Sequence, residues 1–151
     1  MEKFESVDEV LDFAVKSEEE AHDYYNYLAR LVEKPWMKDL FLGFAREELG
    51  HRKKLLAVKE GRALWPSADR VLDLKLAEYA EDVEAGPEIT FQDALVVAMK
   101  REKKSFKLYT DLAAAALNEE LGRAFQALAQ EEARHKLRIE LIYDDEVLSD
   151  N

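Results

Sequence analysis

Two short Glu-x-x-His motifs are the part of this sequence best suited to chemistry. The first joins Glu48 to His51, and the second joins Glu132 to His135. Because positions three apart share one face of a helix, each motif can offer a carboxylate and an imidazole to the same point in space. Carboxylates and imidazoles together bind transition metals such as iron, manganese and zinc. The motifs therefore predict metal binding.

Each motif has a companion glutamate about 30 residues upstream, and the two sets form a repeat. A shift of 84 residues relates Glu18 to Glu102, and the same shift carries the first Glu-x-x-His motif onto the second. Glu18 and Glu102 both continue an apolar stripe of helical period, whereas Glu19 and Glu20 do not. A single motif of this kind arises often by chance, and Glu102 alone would be interpreted as a surface ion-pair residue. The repeat favours six ligands.

The charge of such a ligand set predicts two bound cations. Four ionised glutamates inside a helical bundle would each cost several kcal/mol if unpaired, and no Lys or Arg shares the inner stripes. Two divalent ions would balance them, and carboxylates can bridge ions about 3.5–4 Å apart. Oxygen-rich sites with two nitrogens suit iron or manganese, and zinc stays an alternative because of its higher affinity. Without metal, the glutamates are expected to be strained or partly protonated.

Four further residues repeat with the same shift and lie near the predicted ligands. Tyr25 and Tyr109 follow the single glutamates by two turns, and are expected as core aromatics or as hydrogen-bond donors to ligand carboxylates. Glu47 and Glu131 lie one residue off the inner stripe, so they are interpreted as surface groups or as supports of ligands rather than as ligands.

The overall composition excludes several classes of function. The 151 residues suit one domain, 1–151, and include 33 Asp and Glu against 22 Lys and Arg, a net charge of −11. Such acidity disfavours nucleic-acid binding. The absence of Cys excludes thiolate metal sites and disulfides. Because the sequence begins without a signal-peptide pattern and has no apolar run of membrane-spanning length, we expect a cytoplasmic protein with no membrane contact.

The spacing of apolar residues predicts an all-α fold with four long helices. The predicted helices cover about residues 6–32, 35–60, 90–116 and 118–145, and a crossover at about 61–88 carries a short extra helix. Pro35 suits the first turn of a helix, and Thr90 and Asn118 suit N-caps. The long crossover lets the second and third helices lie parallel. Trp36 and Trp65 are expected to anchor packing, and the acidic tail from residue 144 is expected to fray.

The complete pattern resembles the rubrerythrin di-iron domain of the ferritin-like superfamily. The resemblance rests on Ala-x-x-x-Glu18-x-x-Ala-x-x-x-Tyr25-x-x-Leu-Ala, on Glu-Glu48-x-x-His51 and on their second copies, and it covers about residues 7–143. It implies a ferritin-like four-helix bundle that forms a homodimer or larger homo-oligomer and holds two iron ions. The implied ligands are Glu18, Glu48, His51, Glu102, Glu132 and His135.

The resemblance also implies an activity, the reduction of peroxide or oxygen by ferrous iron in oxidative-stress defence. Two departures from the family matter. The rubredoxin-type cysteines are missing, so electrons would have to come from a separate electron-donor protein. Ser105 stands where the family has an extra glutamate one turn after the ligand of the third helix, which puts the family's redox-linked iron shift in question. The alternatives are iron binding, storage or sensing without turnover, and a metal with a purely structural role.

Overall fold

Four long helices make up most of the protein. A computed structural model describes residues 4–61, 74, 79 and 90–148. The helices are α1 (Val7–Leu31), α2 (Pro35–Glu60), α3 (Phe91–Ala115) and α4 (Glu119–Tyr143). The described residues contain no strand, so the predicted all-α class is confirmed. None of these helices combines the length and apolar character that crossing a bilayer requires. The predicted crossover helix lies outside the described residues.

Local sequence signals explain where the helices begin. The side chains of Ser6, Thr90 and Asn118 accept hydrogen bonds of 2.8–3.1 Å from backbone N–H groups of the first turns of α1, α3 and α4. A cap of this kind stabilises a helix by about 1 kcal/mol. Pro35 begins α2, where its missing N–H has no helical partner to lose. The predicted starts at Pro35, Thr90 and Asn118 are therefore confirmed.

Two expectations at the ends of helices are wrong. The acidic tail does not fray over Asp144–Leu148, because these residues form a π-helical turn, and residues 149–151 lie outside the described part of the chain. Lys34 anchors that turn by donating hydrogen bonds of 2.7 and 2.8 Å to the two carboxylate oxygens of Glu146. Trp36 is 50% exposed rather than a packing anchor. It lies in the first turn of α2, before the buried stripe that begins at Met37. Trp65 lies outside the described residues.

The core consists of two apolar clusters, one toward each end of the bundle. The first combines the beginnings of α1 and α4 with the ends of α2 and α3. The second combines the end of α1, the beginnings of α2 and α3, and the end of α4. Since α2 and α3 contribute matching ends to each cluster, they run parallel, as predicted. The middle of the bundle, between the two clusters, is where the predicted ligands lie.

The internal repeat is visible as an approximate twofold relation between the two hairpins. Tyr25 stacks on Phe41 with ring centroids 6.3 Å apart and an interplanar angle of 10°. The residues 84 positions later, Tyr109 and Phe125, stack at 6.5 Å and 16°. One pair lies in each apolar cluster. The two halves of the sequence therefore form equivalent structures that face each other across the middle of the bundle.

Candidate metal centre

The six predicted ligands come together in the middle of the bundle. Each is only 1–3% exposed, and they are the only buried polar or charged side chains among the residues that the structure describes. These residues are Glu18, Glu48, His51, Glu102, Glu132 and His135. Each one interrupts an apolar stripe, so the packing that buries the stripe also carries the polar side chain into the core.

The ligand atoms form two overlapping groups, each with one atom per residue and all atoms within 4.8 Å of one another. The first group contains Glu18, Glu48, His51 and Glu132, and the second contains Glu48, Glu102, Glu132 and His135. Glu48 and Glu132 belong to both groups. Their carboxylates are therefore shared by the two groups, whereas each remaining Glu and His belongs to one group.

In the first group, Nδ1 of His51 faces three carboxylates. It lies 2.8 Å from Oε1 of Glu132, 3.5 Å from Oε2 of Glu18 and 3.7 Å from Oε1 of Glu48. These oxygens come from three different helices. The same ring nitrogen therefore lies within 4 Å of carboxylate oxygens from three helices.

The second group repeats this arrangement around His135. Its Nδ1 lies 3.1 Å from Oε1 of Glu48 and 3.6 Å from Oε1 of Glu102. The imidazole rings of His51 and His135 are 6.3 Å apart and 15° from parallel. The Nδ1 atoms of both imidazoles therefore lie beside the same cluster of buried carboxylates, one contributed by each half of the repeat.

Unsatisfied buried atoms test whether this site suits metal ions. Each of the six residues has one fully buried N or O atom that makes no hydrogen bond, although Nδ1 of His51 lies only 2.8 Å from Oε1 of Glu132. The atoms are Oε2 of Glu18, Oε1 of Glu48, Nδ1 of His51, Oε2 of Glu102, Oε1 of Glu132 and Nδ1 of His135. A buried unsatisfied group costs about 1–3 kcal/mol, and more when charged. Coordinated cations would satisfy all six atoms, so the donor set fits them.

Glutamates on the opposite hairpin hold the outer edge of each imidazole. Nε2 of His51 makes a hydrogen bond with a carboxylate oxygen of Glu131, and Nε2 of His135 makes one with Glu47. A carboxylate on one ring nitrogen orients the ring and leaves the other nitrogen for a metal. The sequence left open whether Glu47 and Glu131 lie on the surface or support ligands. The structure shows the supporting contact, and each glutamate reaches the histidine of the other half.

Two buried tyrosines hold the single glutamates in the same crossed manner. The Tyr25 hydroxyl donates a hydrogen bond to Oε1 of Glu102, and the Tyr109 hydroxyl donates one to Oε1 of Glu18. In both carboxylates the other oxygen, Oε2, carries no hydrogen bond. Each tyrosine therefore leaves one carboxylate oxygen available to a cation.

The sequence matches the profile of the Rubrerythrin family over residues 9–143. The chain belongs to the rubrerythrin family. Its fold is similar to that of a protein from Thermotoga maritima named as a ferritin-like diiron-carboxylate protein, with a TM-score of 0.79 and 19% sequence identity over 97% of this chain and 100% of that chain. This likeness confirms the ferritin-like four-helix bundle. No curated protein matches the chain in sequence.

In this rubrerythrin-family protein, protons take the place of cations when metal is absent. Burial and the charges of neighbouring glutamates raise the pKa of Glu48 and of Glu132 well above the usual carboxyl value. Burial favours the neutral form of His51, but the carboxylates of Glu132 and Glu18 outweigh it and raise its pKa to about 10. The pKa of His135 is raised in the same sense. Metal binding must therefore release protons from the centre.

The tyrosines and Glu131, which contact the candidate ligands, have pKa values that suit their hydrogen bonds. Burial and the nearby glutamates raise the pKa of Tyr25 and of Tyr109, so both stay protonated hydrogen-bond donors. Burial favours the neutral form of Glu131, but its contact with His51 outweighs that effect and lowers its pKa. Glu131 therefore stays ionised against the imidazole that it orients.

Proposed function

We propose that this rubrerythrin-family protein holds two iron ions at the centre and reduces hydrogen peroxide or oxygen with them. The observation that carries the proposal is the set of six buried atoms without hydrogen bonds, arranged in two overlapping groups. Glu18 and His51 would hold one ion, Glu102 and His135 would hold the other, and Glu48 and Glu132 would bridge them. Ligand hardness favours iron or manganese, and zinc is the competing ion.

Bound ferrous ions would supply one electron each to an oxidant. The protein's own groups supply the surroundings. Glu47 and Glu131 orient the two imidazoles, and the tyrosine hydroxyls orient the single glutamates. The apolar clusters on either side limit the water that reaches the centre, which strengthens the electrostatic interactions inside it.

The electrons for a further turnover would come from outside the chain. The 151 residues include no Cys, so the chain itself cannot build a thiolate-bound iron site to relay electrons. We therefore propose a separate electron-donor protein as a partner. The test is to reduce the oxidised protein with candidate donors under anaerobic conditions and to follow loss of the ferric absorbance.

The experiment that tests the activity is anaerobic loading with ferrous iron followed by peroxide. One equivalent of peroxide, with two protons from the solvent, should oxidise two ferrous ions per chain and give two waters, at a rate well above that of free ferrous iron. Glu18→Gln should slow this oxidation strongly, because it removes a ligand charge. The matched control is Glu19→Gln, since Glu19 lies on the surface and pairs with Arg52. Oxidation no faster than in buffer would reject the proposal.

Counting the bound iron separates this activity from iron storage. The buried centre offers two overlapping groups of ligand atoms among the described residues, which favours saturation at two ions per chain. Aerobic loading followed by gel filtration and iron analysis should therefore reach about two ions per chain, the number held by a two-metal site. Many irons per chain would instead support storage.

We also propose that the protein forms a homodimer or larger homo-oligomer. Leu137 and Leu141 lie one turn apart on α4 and are 56% and 50% exposed, and Trp36 is 50% exposed. Contiguous exposed apolar patches mark surfaces where proteins associate, and the two leucines are neighbours on one helix face. Light scattering coupled to gel filtration should give a mass of at least twice 17.4 kDa, and a monomer would contradict the proposal.

A further inference from the structure

A cavity lies between α1 and α3, where the two halves of the repeat face each other, and Tyr79 also contributes to its lining. It has a volume of about 270 Å³, and we call it the seam cavity. Its lining includes Ser17, Glu20 and Ala21 of α1 and Glu102, Lys104 and Ser105 of α3. Ala21 and Ser105 are equivalent positions of the repeat, and so are Glu20 and Lys104. The seam cavity therefore lies close to the axis of the approximate twofold relation.

The lining of the seam cavity includes both a surface side chain and one of the six candidate ligands. At its outer rim, the side chain of Glu20 is 48% exposed. At its inner end, Glu102 is 1% exposed, and its Oε2 atom is one of the six buried atoms without a hydrogen bond. Residues of the surface and a residue of the centre therefore share one cavity, with the buried Glu102 side chain at the end nearest the centre.

Small side chains keep the seam cavity open. Ala21 and Ser105 are half-buried in its walls, one on each helix. Protein interiors are close-packed, so a leucine at either position would occupy the space that the present side chains leave free. A single water occupies about 30 Å³ in the liquid, so the cavity has room for a solute as small as hydrogen peroxide.

A second cavity offers a rival route but is blocked at its inner end. It has a volume of about 320 Å³ and lies beside His135 on the outer side of α2 and α4, with Phe44, Glu47 and Arg138 in its lining. There the ring of His135 stacks on Phe44 at 4.1 Å, and its Nε2 is bound to Glu47. A solute in this cavity meets the back of the imidazole rather than the ligand atoms.

The charges around the seam cavity indicate which solutes it favours. Arg101 lies 3.7 Å from Glu20, and Lys16 and Lys104 also line the cavity. Among the lining residues that the structure describes, three are cationic and, besides Glu102 of the centre, one is acidic, although the whole chain carries a net charge of −11. A basic opening raises the local concentration of anions and lowers that of cations. Small neutral or anionic solutes are therefore favoured over metal ions.

We propose that the seam cavity is the access route to the metal centre for a small neutral or anionic solute of the size of hydrogen peroxide, and that Ala21 and Ser105 set the largest solute that enters. The inference rests on the proposed function, because it assumes that an oxidant reacts at this centre. It adds the path that the oxidant takes and the residues that limit its size.

The first test needs no metal and uses the absence of Cys from the chain. Ser105→Cys places one thiol in the cavity wall, and Thr110→Cys places one on the exposed surface of α3 as a control. Methyl methanethiosulfonate should modify both thiols at rates within about threefold, whereas fluorescein maleimide should react about tenfold more slowly at position 105. An inert thiol at position 105, or equal reaction with the bulky reagent at both positions, would overturn the proposal.

The second test measures access to the centre itself. Azide is mixed with the cobalt(II)-loaded protein, and its binding is followed by the change in the visible spectrum. Ser105→Leu should slow azide association about tenfold at unchanged cobalt content, and Ala21→Leu should do the same from the opposite wall. Arg138→Trp, which narrows the rival cavity, should leave the rate within about twofold of the wild-type value. Unchanged rates in both leucine variants, or a slower rate in Arg138→Trp alone, would overturn the proposal.

The two proposals fail in distinguishable ways. If peroxide does not oxidise the ferrous protein but Ser105→Leu still slows azide, the redox function is wrong and the access route stands. If peroxide oxidises the iron normally and both Ser105→Leu and Ala21→Leu leave azide binding unchanged, the access route is wrong and the redox function stands.

Discussion

The metal-free protein should lose stability as the pH rises from 6 to 9, and His51 provides the main measurable reason. This side chain is 2% exposed, and its pKa in the folded protein is about 10, compared with 6.5 for an ordinary histidine. Between these two values, the folded protein binds a proton that the unfolded chain releases. The contribution of His51 to stability is therefore fully present below pH 6.5 and is lost as the pH rises toward 10.

The magnitude follows from the two pKa values. A difference of one in pKa corresponds to 1.36 kcal/mol, so a pKa of about 10 against 6.5 contributes about 5 kcal/mol at low pH. Between pH 6 and pH 9, the titration of His51 alone should lower the free energy of unfolding by about 3 kcal/mol. The raised pKa values of Glu48 and Glu132 act in the same direction. The lowered pKa of Glu131 has the opposite effect: its contribution to stability is lost as the pH falls through that pKa, well below the range from 6 to 9.

Urea unfolding of chelator-treated protein, followed by circular dichroism at constant ionic strength, measures this change. His51→Gln should reduce the fall between pH 6 and pH 9, because it removes the titrating group. His22→Gln is the matched control, since His22 lies near the surface with Asp23 and Asn26 as its partners. Two equivalents of manganese or zinc should reverse the trend, because cations need the deprotonated ligands. Equal pH dependence in the wild type and in His51→Gln would refute the reasoning.

Three further substitutions test the parts of the site and the core. Tyr109→Phe leaves Oε1 of Glu18 without its donor and should lower the free energy of unfolding by about 1.5–3 kcal/mol in urea titrations; an unchanged value would show that the bond does not contribute. Glu48→Ala removes a carboxylate shared by both ligand groups, so elemental analysis should find at most one metal ion per chain instead of about two, and retention of two would contradict the bridging role. Phe41→Ala should cost about 3–5 kcal/mol in stability because Phe41 is completely buried, whereas Trp36→Ala in the first turn of α2 should cost less than about 1 kcal/mol; similar costs would contradict the observed packing.

The sequence determined which residues meet at the centre. Glu18 and Glu102 occupy equivalent positions of apolar helical stripes, and a side chain on such a stripe is buried together with its neighbours. The two Glu-x-x-His motifs also lie on apolar helical stripes. A shift of 84 residues relates the three candidate ligands of the first half to the three of the second half. Helix caps such as Thr90 were also predictable, because capping depends only on a side chain and the backbone three residues later.

Only the tertiary structure decided which groups pair across the bundle. Tyr25 bonds to Glu102 of the other hairpin rather than to Glu18 of its own helix, and Glu47 reaches His135 rather than the nearby His51. Periodicity states which face of a helix points inward, but it contains no information on the rotation and offset of one helix against another. Those quantities follow from packing all four helices together, and they also produce the seam cavity between α1 and α3 that no spacing along the chain could reveal.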